Sequence, residues 1–168
     1  ADPHAPDKTY SKIGGWVRDF PWEPMTWKLP VPPSVSAHFD EGQMWSVSAG
    51  RSALMEAGWP NWGVDSDRVG VILGSAVGGL ELVVDPIRRF YADGTTKLLP
   101  YIAIELLANM PAFHVGLEHG CLGPLSTTVT ACAAGTQAFG DALELIRRGV
   151  TDVMLTGGTE AQIGLLFF

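Results

Sequence analysis

Three short apolar runs, each closed by small residues and each separated from the next by a stretch with helical spacing, constrain this chain more than any other feature. The first is Arg68–Ser75, RVGVILGS, rich in β-branched residues and leading into the flexible turn Gly74–Gly79, GSAVGG. Continuous rather than alternating apolarity fits a strand buried on both faces, as in a parallel sheet. The second run is Leu125–Ala131, LSTTVTA, and the third is Asp152–Thr156, DVMLT, ended by Gly157-Gly158. Parallel neighbours need a crossover, so the alternation of strand and helix implies an α/β architecture with a largely parallel sheet.

The intervening helices have recognisable ends. Asp40–Gly58 carries Met44, Trp45, Val47, Leu54 and Ala57 at roughly helical spacing, with Asp40 placed to cap its start and Gly58 its end. Ile102–Gly120 reads as helical, with Pro111 either breaking it or opening a second helix near Asn109. Thr136–Arg148 is a third helix, with an apolar stripe through Phe139, Leu143 and Ile146 and an i, i+4 pair of Glu144 with Arg148.

The organisation is uneven along the chain. All six tryptophans lie in the first 62 residues, and seven of the twelve prolines in the first 33. Residues 1–39 are therefore read as a Pro/Trp-rich N-terminal segment, within which Phe20–Pro33 is expected to pack as an ordered surface piece rather than serve as a flexible linker, and 40–168 as an α/β unit. Three buried strands make a thin sheet, and the chain runs out in an apolar tail, Gly164–Phe168, so it reads as part of something larger.

Composition removes several classes of function. With 46% apolar and 17% charged residues the chain has ample surface to bury. A net charge of −7 opposes a sequence-independent grip on nucleic acid. No uninterrupted apolar window is long enough for a membrane-spanning helix, and the polar, proline-containing start does not read as a signal peptide. Two cysteines, Cys121 and Cys132, give neither a disulfide framework nor a zinc site, and they fit a reducing, cytoplasmic setting. The turn Gly74–Gly79 lacks the lysine and spacing of a phosphate-binding loop.

The candidate site is Thr130–Gly135, TACAAG, where a strand hands over to a helix with Cys132 at the junction. Ala131, Ala133, Ala134 and Gly135 leave room for close approach by other groups. A thiol at a helix N-terminus meets unpaired amides and the positive end of the macrodipole, which favours the thiolate. A nucleophile on a tight strand-to-helix turn also stands clear of the sheet. Such a sulfur can attack an activated carbonyl and hold the acyl group as a thioester. A buried packing role for Cys132 is the competing reading, and it is the one assigned to Cys121.

The run Asn109–Ile163 resembles the β-ketoacyl synthases, the decarboxylating condensing enzymes of fatty acid and polyketide synthesis. The matching pieces are NMPA with His114, the Gly123-Pro124 turn, the strand into TACAAG, the amphipathic helix after it, and DVML–GG–E. Upstream, Asp67–Gly79, the Asp40–Gly58 helix and Tyr10–Phe20, YSKIGGWVRDF, are also similar. The Pro/Trp-rich start looks like synthase domains of large multienzymes.

The resemblance implies a thiolase-like fold, two α/β halves stacked in five αβαβα layers, of which this chain holds mostly the first. It implies that Cys132 is the nucleophile, that its backbone amide is half of an oxyanion hole, and that Val77, Gly78 and Ala133 bind substrate. Cys132 would take an acyl chain from the phosphopantetheine of acyl carrier protein or from coenzyme A, with no other cofactor. Decarboxylative Claisen condensation with malonyl-acyl carrier protein would come next. Acyl carrier protein and a second copy in a homodimer are the implied partners, with Thr127–Thr130 near the dimer mate.

Two catalytic histidines, a lysine and the second oxyanion donor of this family would lie beyond Phe168, and the family's first strand would precede Tyr10. None of the four histidines here occupies a catalytic slot: His114 matches a structural position, His119 sits near a helix end, and His4 and His38 lie in loop-like sequence. Phe113 replaces a small residue of the family, and Leu125 a serine. Glu160 is expected to hold a buried hydrogen-bond position. Arg88-Arg89 and Arg147-Arg148 are basic pairs, read either as carrier-protein contacts or as solvated surface. The alternatives to a synthase are a non-catalytic ketosynthase-like partner of the chain-length-factor type, or a scaffold subunit, whose relatives lose the cysteine that this chain keeps. A cysteine hydrolase drawing its histidine from within the chain is the third reading.

Overall fold

The computed structural model describes residues 39–94 and 101–162. The expectations for the Pro/Trp-rich segment before Phe39, for Tyr10–Phe20, for His4 and His38, and for the apolar tail lie outside those residues.

Helix α1, Glu41–Glu56, starts where Asp40 caps it. The Gln43 N–H donates to Asp40 Oδ1 at 2.7 Å, and the Asp40 N–H donates to Gln43 Oε1 at 3.0 Å. This reciprocal box satisfies two otherwise unpaired amides. The helix ends at Glu56, and beyond the Ala57 cap Gly58 turns the chain with a φ of +86°, which suits glycine. Its inner face buries Val47 and Leu54, but Met44 and Trp45 are only half-buried and Ala57 is exposed. The rest of the inner face is Gly42, Gln43, Ser46 and Gly50. Gly50 lets α1 come close: a Cβ there would sit 3.1 Å from Val115 Cγ1 and 3.2 Å from Leu155 Cδ2.

Strand β1, Val69–Gly74, is buried along its whole length, as its unbroken apolarity predicts. After it come the turn 75–79, helix α2 at Val84–Asp93, the short α3 at Ile102–Glu105, and α4 at Met110–His119. Pro111 opens α4 rather than kinking a longer helix, because a first-turn residue has no intrahelical N–H bond to lose. Strand β2, Leu125–Thr128, leads to α5, Ala134–Arg147, and then to β3, Val153–Gly158. The sheet order is β2–β1–β3, with both pairings parallel.

The core lies between β1 and the α1–α4 layer: Val47, Val69, Val71, Leu73, Ala112, Val115 and Cys121 pack together. Burying each large member contributes roughly 1.5–3 kcal/mol. Cys121 is a packing residue, and loss of hydration pushes its thiol up to about 11. Helix α5 lies against the sheet through Ala134, Ala138 and Ala142. Leu125 fills the space beside Gly116, where a Cβ would come within 2.6 Å of its Cδ2.

Several boundaries differ from the sequence-based expectation. Strand β3 continues through Gly157 and Gly158, because they pair in register with Leu73 and Gly74 of β1. Strand β2 stops at Thr128, where the chain begins to turn toward Cys132. Glu144 pairs with Arg147 at 3.2 Å rather than with Arg148, which is the C-cap residue of α5. The stripe of Phe139, Leu143 and Ile146 is exposed, and the alanines face the sheet instead. Among the described residues no helix is long and apolar enough to cross a membrane.

Candidate active site

Three parallel strands end on the same side of the sheet, and the segments that leave those ends build the site. Open α/β sheets hold their ligands there, beyond the carboxyl ends of the strands. After β2 the chain bends sharply. Thr130 has φ −133° and ψ 41°, and Ala131 has a φ of +50°. A non-glycine residue in this left-handed region is strained by about 1–3 kcal/mol. The Ala133 N–H donates to the Thr130 carbonyl at 3.1 Å, closing a 3-10 turn over Ala131–Ala133 that feeds directly into α5. Cys132 stands at the middle of that turn and is exposed, whereas Cys121 is buried. Strain at a nucleophile elbow keeps such a side chain clear of the strand and reachable by a substrate. The end of β2 is tied to α5 by the Thr128 hydroxyl, which donates to Asp141 Oδ2 at 2.8 Å.

Glycines bring the other two strand ends against this elbow. A Cβ on Gly74 would lie 2.3 Å from both the Ala134 carbonyl carbon and the Gly135 nitrogen. A Cβ on Gly158 would lie 3.0 Å from the Gly135 Cα. The first turn of α5 therefore rests on the bare backbone of β1 and β3. The Ser75 N–H also donates to the Thr128 carbonyl at 3.2 Å.

Val77 and Gly78 sit in the turn after Gly74; Val77 is half-buried and Gly78 buried, while Ala133 is exposed beside Cys132. Gly78 has φ +67°, and a Cβ on it would meet Ala108 Cα at 2.6 Å. Its N–H donates to Ser75 Oγ at 3.2 Å, and the Gly79 N–H to the Leu106 carbonyl at 3.1 Å. Glu160, just beyond β3, is exposed rather than buried as expected. Its Oε2 accepts from the Ala76 N–H at 2.6 Å and the Val77 N–H at 3.2 Å. A carboxylate thus occupies the amides a phosphate would need, which disposes of a phosphate cradle at 75–79. Sequence reasoning missed Ser75 and also Gln162, whose amide donates to the Gly78 carbonyl. Nothing local marks either as a turn partner.

His114 is spent elsewhere. It is 2% exposed, and its Nε2 lies 2.7 Å from Glu105 Oε2. Gln43 Nε2 donates to the Glu105 carbonyl at 2.7 Å, so α1, α3 and α4 share one buried polar network. His119 closes α4, where its carbonyl accepts from Trp59 Nε1 at 3.2 Å. Phe113 is exposed, with its ring edge-on to that of His114 at 5.3 Å between centroids. Among the described residues no group of three or more His, Cys, Asp and Glu is placed to hold a metal ion.

The Beta-ketoacyl synthase, N-terminal domain family matches residues 1–166. The chain is 39% identical over 121 residues to 3-oxoacyl-[acyl-carrier-protein] synthase 2 of Rhizobium meliloti, covering 71% of this chain and 29% of that protein. A type II polyketide ketosynthase solved with its acyl carrier protein and bound to the hexaketide superposes with a TM-score of 0.73 at 28% identity, over 81% of this chain and 39% of that one. A β-ketoacyl synthase from Burkholderia phymatum gives 0.68 at 28% identity, over 91% of this chain and 36% of that one. The chain thus spans about 30% of the length of the curated relatives it matches. The fold is that of the thiolase-like ketosynthases, and the chain belongs to the β-ketoacyl synthase family.

Proposed function

We propose that this chain supplies the nucleophile of a β-ketoacyl synthase, with Cys132 as the acyl acceptor. The observation that carries the reading is the exposed sulfur on a strained turn between β2 and α5. The Cys132 thiolate attacks the carbonyl carbon of an acyl thioester on acyl carrier protein or coenzyme A. The new carbon–sulfur bond forms with the carbonyl electron pair moving onto oxygen, and collapse of that oxyanion breaks the old carbon–sulfur bond, so that the phosphopantetheine thiolate leaves and takes up a proton. The Cys132 amide is one donor to the oxyanion. The carbanion left by loss of carbon dioxide from malonyl-acyl carrier protein then attacks the carbonyl carbon of that thioester; the carbon–carbon bond forms, the carbon–sulfur bond to Cys132 breaks, and the β-ketoacyl product stays on the carrier while the Cys132 thiolate is released. The histidines, the lysine and the second oxyanion donor for that step come from synthase residues outside this chain, and the working enzyme is a homodimer.

Retention of Cys132 in a built elbow favours a synthase over a chain-length-factor partner. The turn holding Val77 and Gly78 follows Gly74, which lies against the first turn of α5, and Val77, Gly78 and Ala133 contact the acyl chain. The synthase polypeptide containing this segment, incubated with an acyl-carrier thioester, is expected to carry the acyl mass on the Cys132 peptide. An unmodified peptide overturns the proposal. The 168-residue chain alone is expected to offer an alkylatable thiol and no decarboxylative activity; ketoacyl product from it would contradict the assignment of the histidines to other residues.

A further inference from the structure

One carboxylate crosses from the end of β3 to the turn after β1. Glu160 Oε2 accepts two consecutive backbone N–H groups, of Ala76 at 2.6 Å and of Val77 at 3.2 Å. It also reaches Ser75 Oγ at 3.5 Å. The residues joined are more than eighty positions apart, so no local turn preference explains the contact. A carboxylate receiving two adjacent amides makes charge-assisted bonds, roughly twice as strong as neutral ones. The turn is held on other sides as well, by Ser75 Oγ under the Gly78 N–H and by the Leu106 carbonyl under the Gly79 N–H. Gly74, immediately before it, lies against the backbone of Ala134 and Gly135, two and three residues after Cys132. Any displacement of residues 75–79 is therefore felt beside the elbow.

We infer that Glu160 is a positioning residue: its carboxylate fixes the Ala76–Val77 backbone beside the Cys132 elbow and thereby sets which acyl chains the thiol accepts. This rests on the roles proposed for Cys132 as acyl acceptor and for Val77 as a contact of the acyl chain. Glu160 itself touches neither the thiol nor the acyl group. Removing its carboxylate frees two amides that point at one place and lets the turn move, while Cys132, held by its own backbone, keeps its small-molecule reactivity. The effect falls on discrimination between acyl chains rather than on the sulfur.

The test compares wild type, Glu160→Ala and Glu160→Gln in the synthase polypeptide. Three quantities are read: hydrogen exchange at Ala76 and Val77, alkylation of Cys132 by iodoacetamide, and acylation of Cys132 by acetyl- and decanoyl-pantetheine. In Glu160→Ala the two amides are expected to exchange at least about tenfold faster, and the decanoyl-to-acetyl ratio to shift at least about fivefold, the size expected for a lost charge-assisted hydrogen bond. Alkylation should stay within about twofold of wild type, as expected for a substitution away from the thiol's own supports. Glu160→Gln keeps an acceptor oxygen and the packing, so it should fall between wild type and alanine, and it serves alone if the alanine variant does not fold. An unchanged acylation ratio in a wild type that does acylate overturns the inference. So does an equal fall in acetyl and decanoyl transfer together with a change in alkylation beyond twofold, which would mark general loss of structure. If wild-type Cys132 accepts no acyl group, the proposed function fails instead, and unaltered exchange at Ala76 and Val77 would then overturn the positioning role on its own.

Discussion

Gly74 of β1 and Gly158 of β3 stand opposite each other in the parallel register, and Gly135 at the start of α5 lies over both. The close approach of this helix to the sheet is what sets the height of the Cys132 elbow above the strand ends. Gly74→Ala would put a methyl group 2.3 Å from helix backbone that has no side chain to swing aside. A loss of at least about 3 kcal/mol is expected, at the upper end of overpacking costs. Gly140→Ala is the control: among the described residues nothing lies within 4 Å of its Cβ position, and it is interior to α5. It should gain about 0.5–1 kcal/mol from helix propensity. Urea denaturation of the two variants of this chain measures both.

Ala131 carries the strain of the elbow at φ +50°. Ala131→Gly removes the steric penalty but adds unfolded-state freedom, so stability should hold or rise by up to about 1 kcal/mol. Ala131→Val should lose more than about 2 kcal/mol, because a β-branched residue tolerates this region worst. The rate of Cys132 alkylation, measured alongside thermal unfolding, should drop in the valine variant as the turn relaxes.

Much of this is legible in the chain, and the reason is local. The change from the β-branched run LSTTVT to ACAAG marks a strand ending at a helix, and the bend at Cys132 needs no distant partner to be foreseen. Asp40 and Gln43 cap α1 within one turn, and Pro111 opens α4 by its own missing N–H. The features that escape a sequence reading depend on pairing across the chain. Gly157 and Gly158 read as a strand terminator until β1 lies beside them. Glu160 reads as a buried group because only tertiary structure brings the Ala76 and Val77 amides to it. The periodicity of Phe139, Leu143 and Ile146 reports an apolar face without reporting that the alanines are the side turned to the sheet.

His114 offers a direct contrast between a structural and a catalytic histidine. Its partner Glu105 is 3% exposed and is also held by Gln43. Removing the imidazole leaves the buried Glu105 carboxyl with a weaker partner at Oε2, the Gln43 amide at 3.3 Å, and a poorly satisfied buried polar group costs about 1–3 kcal/mol. His114→Ala should therefore destabilise the chain by about that amount. Iodoacetamide labelling of Cys132 under conditions where the variant stays folded should proceed at the wild-type rate. A hydrolase that borrowed this imidazole would show the opposite pattern, a stable protein with an unreactive thiol.

Glu118 supplies a pH dependence that can be signed. Its Oε1 lies 2.6 Å from Arg51 Nη2, yet the side chain is 4% exposed, and loss of hydration pushes its carboxyl up to about 7 from 4.5 despite the guanidinium. The folded state therefore binds a proton that the unfolded state has released between about pH 4.5 and pH 7. Stability from this group is fully present below the lower value and is lost as pH rises through the upper one. At about 1.4 kcal/mol per unit the loss is on the order of 3 kcal/mol at most. Glu118→Gln cannot titrate, so the stability difference between wild type and variant should move against the wild type from pH 5 to pH 8. Urea midpoints at pH 5, 6, 7 and 8 check this, and a difference that stays flat across the series would mean that Arg51 holds the carboxylate charged throughout.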